Sequence, residues 1–357
     1  MDKKKIAIFQ TDMGVGGIQK SLLNLLRNLD YSELDVDLYL FSHENFWESS
    51  FPEQVTVRYL EPGPGMNKYI PFDLAYSRLA GNFVFPENIY YDLAIDFNSY
   101  QPECAAAAIA VPAGKRVEWV HNDVEIKLKN EWKYRVLHFF FQGKFKYFDG
   151  FVCVSEGIVE PFRRHCGKLS EDVSFSVIPN YIDVQEIETG KKEPAGDLCP
   201  APECFNLVSV GRLCHQKGYD IMLKDLQYAV WKRKDLHLYL IGDGPDRKKL
   251  EKLADQLGIS QNVTFLGHKS NPYAYMNQMD AFISTSRYEG QGINIMEAKV
   301  IGLPLYCTKN LEPYVDGLVG CEDIVADLLL AEKQKKCPDS LTEYNRRILS
   351  NFKNLLQ

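Results

Sequence analysis

The chain has 357 residues, 45% of them hydrophobic and 25% charged, with a formal net charge of −7 at pH 7. A chain longer than roughly 250–300 residues outgrows a single hydrophobic core, so two domains are expected. The acidic balance argues against general nucleic-acid binding. No apolar run approaches the roughly 18 residues of a bilayer span, and nine cysteines without metal-ligand spacing read as reduced thiols of a cytoplasmic protein.

MDKKKIAIF opens with basic residues but leads at once into an alternating strand, so it is not read as a signal peptide. KIAIF predicts a short buried strand, QTDMGVGGI a glycine loop, and QKSLLNLLRNL a helix with leucines at helical spacing. Strand, glycine turn and helix form the opening of a nucleotide-binding type of unit. Further apolar runs follow: VDLYLF at 36–41, VTVRYL at 55–60, DLAIDF at 92–97, RVEWVH at 116–121, GFVCVS at 150–155 and FSVIPN at 175–180. Several are continuously apolar rather than alternating, as strands covered on both faces are, so a mostly parallel sheet is expected.

Between residues 184 and 204 the pattern fails: ETGKKEPAGDLCPAPEC is polar and holds three prolines, which predicts a linker. Strand and helix patterns then alternate again through FNLVSVG, YDIMLKDLQYAVWKR, LHLYLIG, DRKKLEKLADQLG, VTFLG, AFISTS, INIMEAKVIG and PLYCT, and specify a second parallel sheet. The expected organisation is α/β, with domains at residues 1–183 and 205–340, a linker at 184–204, and an amphipathic helix at 341–357 packing on the first domain. Both sheets are expected to face a cleft at the carboxyl ends of their strands, where ligands of open α/β folds bind.

In RYEGQGINIMEAKVIGLP, residues 287–304, a loop carrying Glu289 leaves a strand and a helix is predicted from Ile293. Amides at that helix start, on Ile293 and Asn294, suit an anion, and Gly292 lets a phosphate approach the backbone. A carboxylate beside a diphosphate is repelled, so Glu289 and Glu297 are expected to accept hydrogen bonds from vicinal hydroxyls of a ribose or a sugar. The competing reading makes one an exposed loop residue and the other a helix-surface charge. SVGRLCHQKGYD places Arg212 and Lys217 after the first strand of the second domain, where cations would neutralise a diphosphate leaving group. Against this stands the ordinary surface charge of any loop.

VGRLCHQKG, LIGDGPDRKKLEKLADQLGISQNVTFLGH and YEGQGINIMEAKVIGLP, in this order and spacing, resemble the nucleotide-sugar half of retaining glycosyltransferases of family 4, which have the GT-B fold of two Rossmann-like domains. The resemblance is dense from about residue 205 to 305 and sparser over the first 180. It implies that Arg212 and Lys217 bind the donor diphosphate, that Glu289 contacts the donor sugar, that Glu297 holds the ribose, and that Gly267, His268 and Lys269 lie near the base. In DMGVGGIQ it puts Gly16 and Gly17 near the phosphates or the acceptor. In WVHND it puts His121 at the position of an active-site histidine, against the structural role usual for a lone His at a strand end. Asn122 and Asp123 are weaker candidates, Asp123 also reading as a helix cap. Gln291 departs from the family, which has an aromatic or apolar residue there.

The resemblance further implies retention of anomeric configuration by front-face attack, with the leaving phosphate accepting the acceptor's proton. No clear metal-binding carboxylate cluster appears in the sequence, so no cofactor is expected and the cations and amides take the place of Mg²⁺.

KLKNEWKYRVLHFFFQGKFKYF, residues 127–148, combines six Lys/Arg and one Glu with eight aromatics. It reads either as a basic aromatic surface for an anionic membrane, suited to a lipid-linked acceptor, or as a helix with core aromatics and a solvated cationic face. The expected function is transfer from a UDP- or GDP-sugar to a glycan or lipid-linked acceptor in surface polysaccharide or glycolipid synthesis. The expected location is cytoplasmic, peripheral to the inner face of the cell membrane. A nucleotide-sugar epimerase or phosphorylase on the same architecture remains open, as does a non-catalytic glycan-binding partner of a transferase. A dehydrogenase is disfavoured, because DMGVGGIQ lacks the dinucleotide spacing.

Overall fold

The computed structural model describes residues 3–357 apart from 15, 45–49, 62–69, 100, 168, 170–171, 197 and 199, and only the backbone of Leu79. It divides into two compact units, Met1–Tyr181 with Glu343–Gln357, and Ile182–Thr342.

The first unit is built on seven parallel strands: β1 (Lys4–Gln10), β2 (Leu34–Leu40), β3 (Val55–Tyr59), β4 (Tyr91–Asp96), β5 (Ala113–Val120), β6 (Gly150–Cys153) and β7 (Ser174–Val177). Their order in the sheet is β3-β2-β1-β4-β5-β6-β7. Each coincides with an apolar run of the sequence, and the continuously apolar ones are covered on both faces: Ile6, Ala7, Ile8 and Phe9 of β1 are all fully buried. Strand order reverses between β1 and β4, so the loops after these two strands diverge and leave a crevice at their carboxyl ends.

The final helix, Thr342–Asn354, belongs to this unit. Tyr344, Ile348 and Phe352, spaced by four, form its buried stripe, and Phe352 lies 6.2 Å from the Trp119 ring of β5. Tyr344 donates to the Asn180 carbonyl at 3.1 Å, and Asn351 to that of Val177 at 3.1 Å.

The second unit has five parallel strands: β8 (Phe205–Val210), β9 (Leu236–Ile241), β10 (Val263–Gly267), β11 (Ala281–Ser284) and β12 (Leu305–Cys307), in the order β10-β9-β8-β11-β12. Leu207, Leu238, Leu240 and Ile283 pack with Leu223 and Leu226 of the helix Tyr219–Lys232 in its core. Here the order reverses between β8 and β11.

The expected linker at 184–204 needs correction, because its first part is a helix, Val184–Gly190, held on the second unit. Asp183 caps it, accepting from the Glu186 amide at 2.9 Å. Asn271 donates to the Gly190 carbonyl at 2.8 Å, and Asn277 to that of Lys191 at 3.0 Å. The boundary therefore falls at Tyr181 and Ile182, before the proline-rich stretch.

Candidate functional site

In the second unit the loops after β8 and β11, neighbours at the reversal of strand order, are joined along their length. Lys217 Nζ lies 2.7 Å from Glu289 Oε1. Glu289 is only 4% exposed, which overturns the reading of an exposed loop residue. Arg287 makes a two-pronged contact with Asp220, at 2.8 and 2.7 Å, and also donates to the His215 carbonyl at 2.8 Å. Gln216 donates to the Tyr288 carbonyl at 3.2 Å. Gly218, between Lys217 and the helix Tyr219–Lys232, has φ +66°, and a Cβ there would stand 2.0 Å from the Thr285 carbonyl oxygen. Only glycine lets the two loops approach so closely.

The helix Ile293–Ile301 begins at Gly292. A Cβ on Gly292 would come within 2.7 Å of Val315 Cγ2, so packing already requires glycine there, a reason distinct from the expected approach of a phosphate. The Ile293 amide donates to the Gln291 carbonyl at 2.9 Å. Asn294 turns its side chain inward, donating to the Val210 carbonyl at 2.6 Å and so tying the helix start to the end of β8. Glu297 is half-buried and accepts from the Tyr273 phenol at 2.8 Å, so it is not a plain surface charge. Tyr273 in turn lines an open cavity of about 380 Å³ with Glu186, Glu193 and Asn271. Arg212 is exposed after β8 and makes no hydrogen bond or ion pair with the described residues. His268 is exposed after β10, and Gly267 ends that strand with φ +72°. Lys269 sits 4.9 Å over the Tyr275 ring. β10 is an edge strand, separated from β8 by β9, so His268 stands apart from the Lys217–Glu289 pair.

In the first unit, Gly16 and Gly17 open the helix Gly17–Asn28 after β1, and a Cβ on Gly17 would meet nothing within 4 Å. Val15 of the glycine loop lies outside the described residues. Asp12 organises the rest of that loop, accepting from the Gly14 amide at 2.9 Å and from Gln19 at 3.0 Å. His121 follows β5 and is buried, with Nε2 2.9 Å from the Phe97 carbonyl. A carbonyl only accepts, so Nε2 carries the hydrogen and Nδ1 is the ring's acceptor. Burial pushes its pKa down to about 4, which keeps the ring neutral at pH 7. Asp123 caps the helix Val124–Asn130, accepting from the Ile126 amide at 2.9 Å, while Asn122 is half-exposed between them.

Beneath this edge lies a cluster that the sequence reading did not single out. Asp96 of β4 and Glu118 of β5 are partners in strand register, so two carboxyls meet inside the sheet. Lys144, from the short 3₁₀ turn Gln142–Tyr147, enters between them at 3.3 and 3.1 Å, and donates to the Ser99 carbonyl at 2.6 Å. All three are buried. The Asp96 carboxylate also accepts from the Asn98 amide at 3.1 Å, and Asn98 reaches Thr11 after β1 at 3.0 Å. Lys144 thus clamps the loop whose Phe97 carbonyl orients His121. Lys144 had been counted with the basic surface of 127–148, and the structure removes it from that surface. The available signal was a charged residue within each of two strands, DLAIDF and RVEWVH, since buried charges are paired.

Residues 15–186 match the model of Glycosyltransferase Family 4, and residues 202–317 that of Glycosyl transferases group 1. The chain belongs to the group 1 glycosyltransferases. Over 196 residues this transferase-family chain is 23% identical to an uncharacterized glycosyltransferase of Methanocaldococcus jannaschii, covering 54% of itself and 48% of that protein. Over 113 residues it is 33% identical to the lipopolysaccharide core biosynthesis glycosyltransferase LpsD of Rhizobium meliloti, covering 32% of each. The chain's matches therefore span half or less of these curated relatives. Among solved structures, a TarM variant of S. aureus in complex with fondaparinux, α-GlcNAc-glycerol and UDP aligns over 100% of both chains, with a TM-score of 0.69 and 11% identity. That likeness establishes the GT-B fold, two Rossmann-like units on parallel sheets. Among the described residues of this group 1 chain, no three His, Cys, Asp or Glu side chains are grouped to hold a metal ion. Sequence reasoning missed the Arg287–Asp220 fork and the Tyr273 partner of Glu297. Both depend on contacts between loops distant in the chain.

Proposed function

We propose that this chain transfers a sugar from a nucleoside-diphosphate sugar, with UDP or GDP as leaving group, to a glycan or lipid-linked acceptor, with retention of configuration, in surface polysaccharide or glycolipid synthesis. The observation that carries this reading is the Lys217–Glu289 pair, 2.7 Å apart where strand order reverses, with Arg212 exposed on the same loop as Lys217. Lys217 has three N–H donors and spends one on Glu289, so two remain for a diphosphate. Arg212 brings a planar fork to the same anion. Together they stabilise the negative charge that develops as the glycosidic bond to phosphate breaks. Glu289 accepts hydrogen bonds from donor-sugar hydroxyls, and Glu297, released from Tyr273, from those of the ribose. His121 offers Nδ1 to a hydroxyl of the sugar or acceptor. In front-face attack the acceptor oxygen bonds to the anomeric carbon on the side the diphosphate leaves, and the departing phosphate oxygen takes its proton. A lipid-linked acceptor places the reaction at the inner face of the cell membrane. The UDP in the TarM complex and the polysaccharide role in LpsD's name support donor and pathway class respectively.

Thermal stabilisation against saturating UDP, GDP, ADP, dTDP and CMP sugars and their free nucleotides tests the donor site. One nucleoside diphosphate is expected to raise Tm selectively, with the shift unchanged by EDTA and lost in Arg212→Ala. No shift with any of them would overturn the assignment.

A further inference from the structure

The helix Trp132–Phe141 is apolar on two opposite sides. At about 100° per residue, Tyr134, His138 and Phe141 share one face, and Tyr134 and Phe141 are buried in the first unit. Trp132, Val136 and Phe139, again at steps of four and three, share the opposite face and are 68%, 37% and 69% exposed. Other large apolar side chains exposed among the described residues stand singly or, as Tyr228 and Trp231, in a pair. Among the described residues, only this helix displays a row of three at helical spacing. Exposed aromatic rows of this kind mark an interaction site rather than ordinary surface.

The charges beside the row identify the partner. Lys133 and Arg135, both exposed, flank it on its two sides, and Lys133 sits 5.9 Å over the Trp132 ring. Two acids lie nearby: Glu125 on the preceding helix is already met by Lys129 and Arg164, and Glu131, the half-buried residue before Trp132, has a partner of its own. A cationic border on a chain whose net charge is −7 calls for an anionic partner. A second copy would bring the same cations to a twofold contact, where like charges oppose each other. Aromatic side chains seated between cations, on a helix anchored by its other face, are the pattern of a helix lying in a lipid headgroup layer.

We propose that the Trp132–Val136–Phe139 row, with Lys133 and Arg135, docks the first unit on a membrane surface containing anionic lipid. The two aromatics enter the boundary between headgroups and acyl chains while the cations meet lipid phosphates. The reading of residues 127–148 as either core or membrane surface resolves into both: Tyr134, Phe141, Phe145 and Phe148 are core, and the row two residues out of phase is free.

The test needs neither donor nor acceptor and so stands or falls separately from the transfer reading. The full chain is sedimented with phosphatidylglycerol or phosphatidylcholine vesicles at low and high salt, following tryptophan emission. Expected are binding to phosphatidylglycerol vesicles at least about tenfold tighter than to phosphatidylcholine, weakened by salt, with a blue shift in emission. Trp132→Ser/Phe139→Ser should lose about tenfold or more in that binding with Tm unchanged, and so should Lys133→Glu, which spares Arg135 because that side chain also donates to the Leu128 and Lys129 carbonyls. Failure of the wild-type chain to bind phosphatidylglycerol vesicles would overturn the proposal, as would wild-type binding by the double serine variant. A dimer of the wild-type chain that dissociates in the serine variant would also overturn it, assigning the row to a second copy.

Discussion

Lys144 and Lys217 occupy comparable places in the two units, each near the carboxyl edge of a parallel sheet and each against a glutamate. Lys144 is 3.1 Å from Glu118, Lys217 2.7 Å from Glu289. Their surroundings separate them. The Lys144 ammonium is spent on Asp96, Glu118 and the Ser99 carbonyl, with its side chain 2% exposed. The Lys217 side chain is 19% exposed and pairs with Glu289 alone among the described residues, which leaves N–H donors on its ammonium. The same ion pair chemistry therefore does two jobs. Enclosed, it determines the shape of a loop; at the edge, it leaves donors for the diphosphate of the proposed reaction.

Three perturbations would break or sharpen this contrast. The largest effect is expected from Lys144→Met, which leaves two buried carboxyls side by side. It should cost about 3–5 kcal/mol of stability, read by urea or thermal unfolding. An unchanged midpoint would mean the cluster contributes nothing to the fold. Lys217→Ala and Glu289→Ala should do the reverse. The fold should be kept with a smaller loss of stability than in Lys144→Met, since Lys217 is partly exposed, while sugar transfer falls at least about tenfold, or about 1.4 kcal/mol of barrier. Undiminished turnover in either folded variant would remove the pair from the site.

The smallest effect is in pH dependence. Burial, offset in part by Lys144 and reinforced by Asp96, pushes the Glu118 carboxyl up to about 8. Its folded pKa lies above the unfolded value, so the stability it contributes is complete below about pH 4.5 and is lost as pH rises toward 8. His121 works in the opposite sense, because its pKa is lowered to about 4. Its contribution is complete above about pH 6.5 and is lost as pH falls toward 4. The two offset each other in between, leaving a net decline from pH 6.5 to 8. Glu118→Gln should flatten that decline in a series of unfolding curves, and an identical slope would show that Glu118 is ionised throughout.

Much of this protein is legible from its residue pattern. Every strand of both sheets overlaps an apolar run, because a parallel strand covered on both faces is mostly apolar along its length. The end of that pattern misled at 184–204, where prolines and charges outweighed a local signal. Asp183 three residues before Glu186, with Gly190 at the far end, is the mark of a capped helix. The glycine at 218 was legible as a turn but not as a contact, since what it avoids is the carbonyl of Thr285 from another loop.

The sequence by itself determined the order of the strands and of most helices, the two-sheet architecture, which loops carry Arg212, Lys217, Glu289 and His121, and which helix carries Glu297. Those features are local, read from spacing within a few residues. Only the tertiary structure decided that Lys217 meets Glu289, that Glu297 meets Tyr273, that Lys144 is enclosed by Asp96 and Glu118, and that Trp132 and Phe139 remain outside while Tyr134 and Phe141 go in. A side chain's role follows from how deeply it is buried and what charge it meets, and both are set by segments far away in the chain.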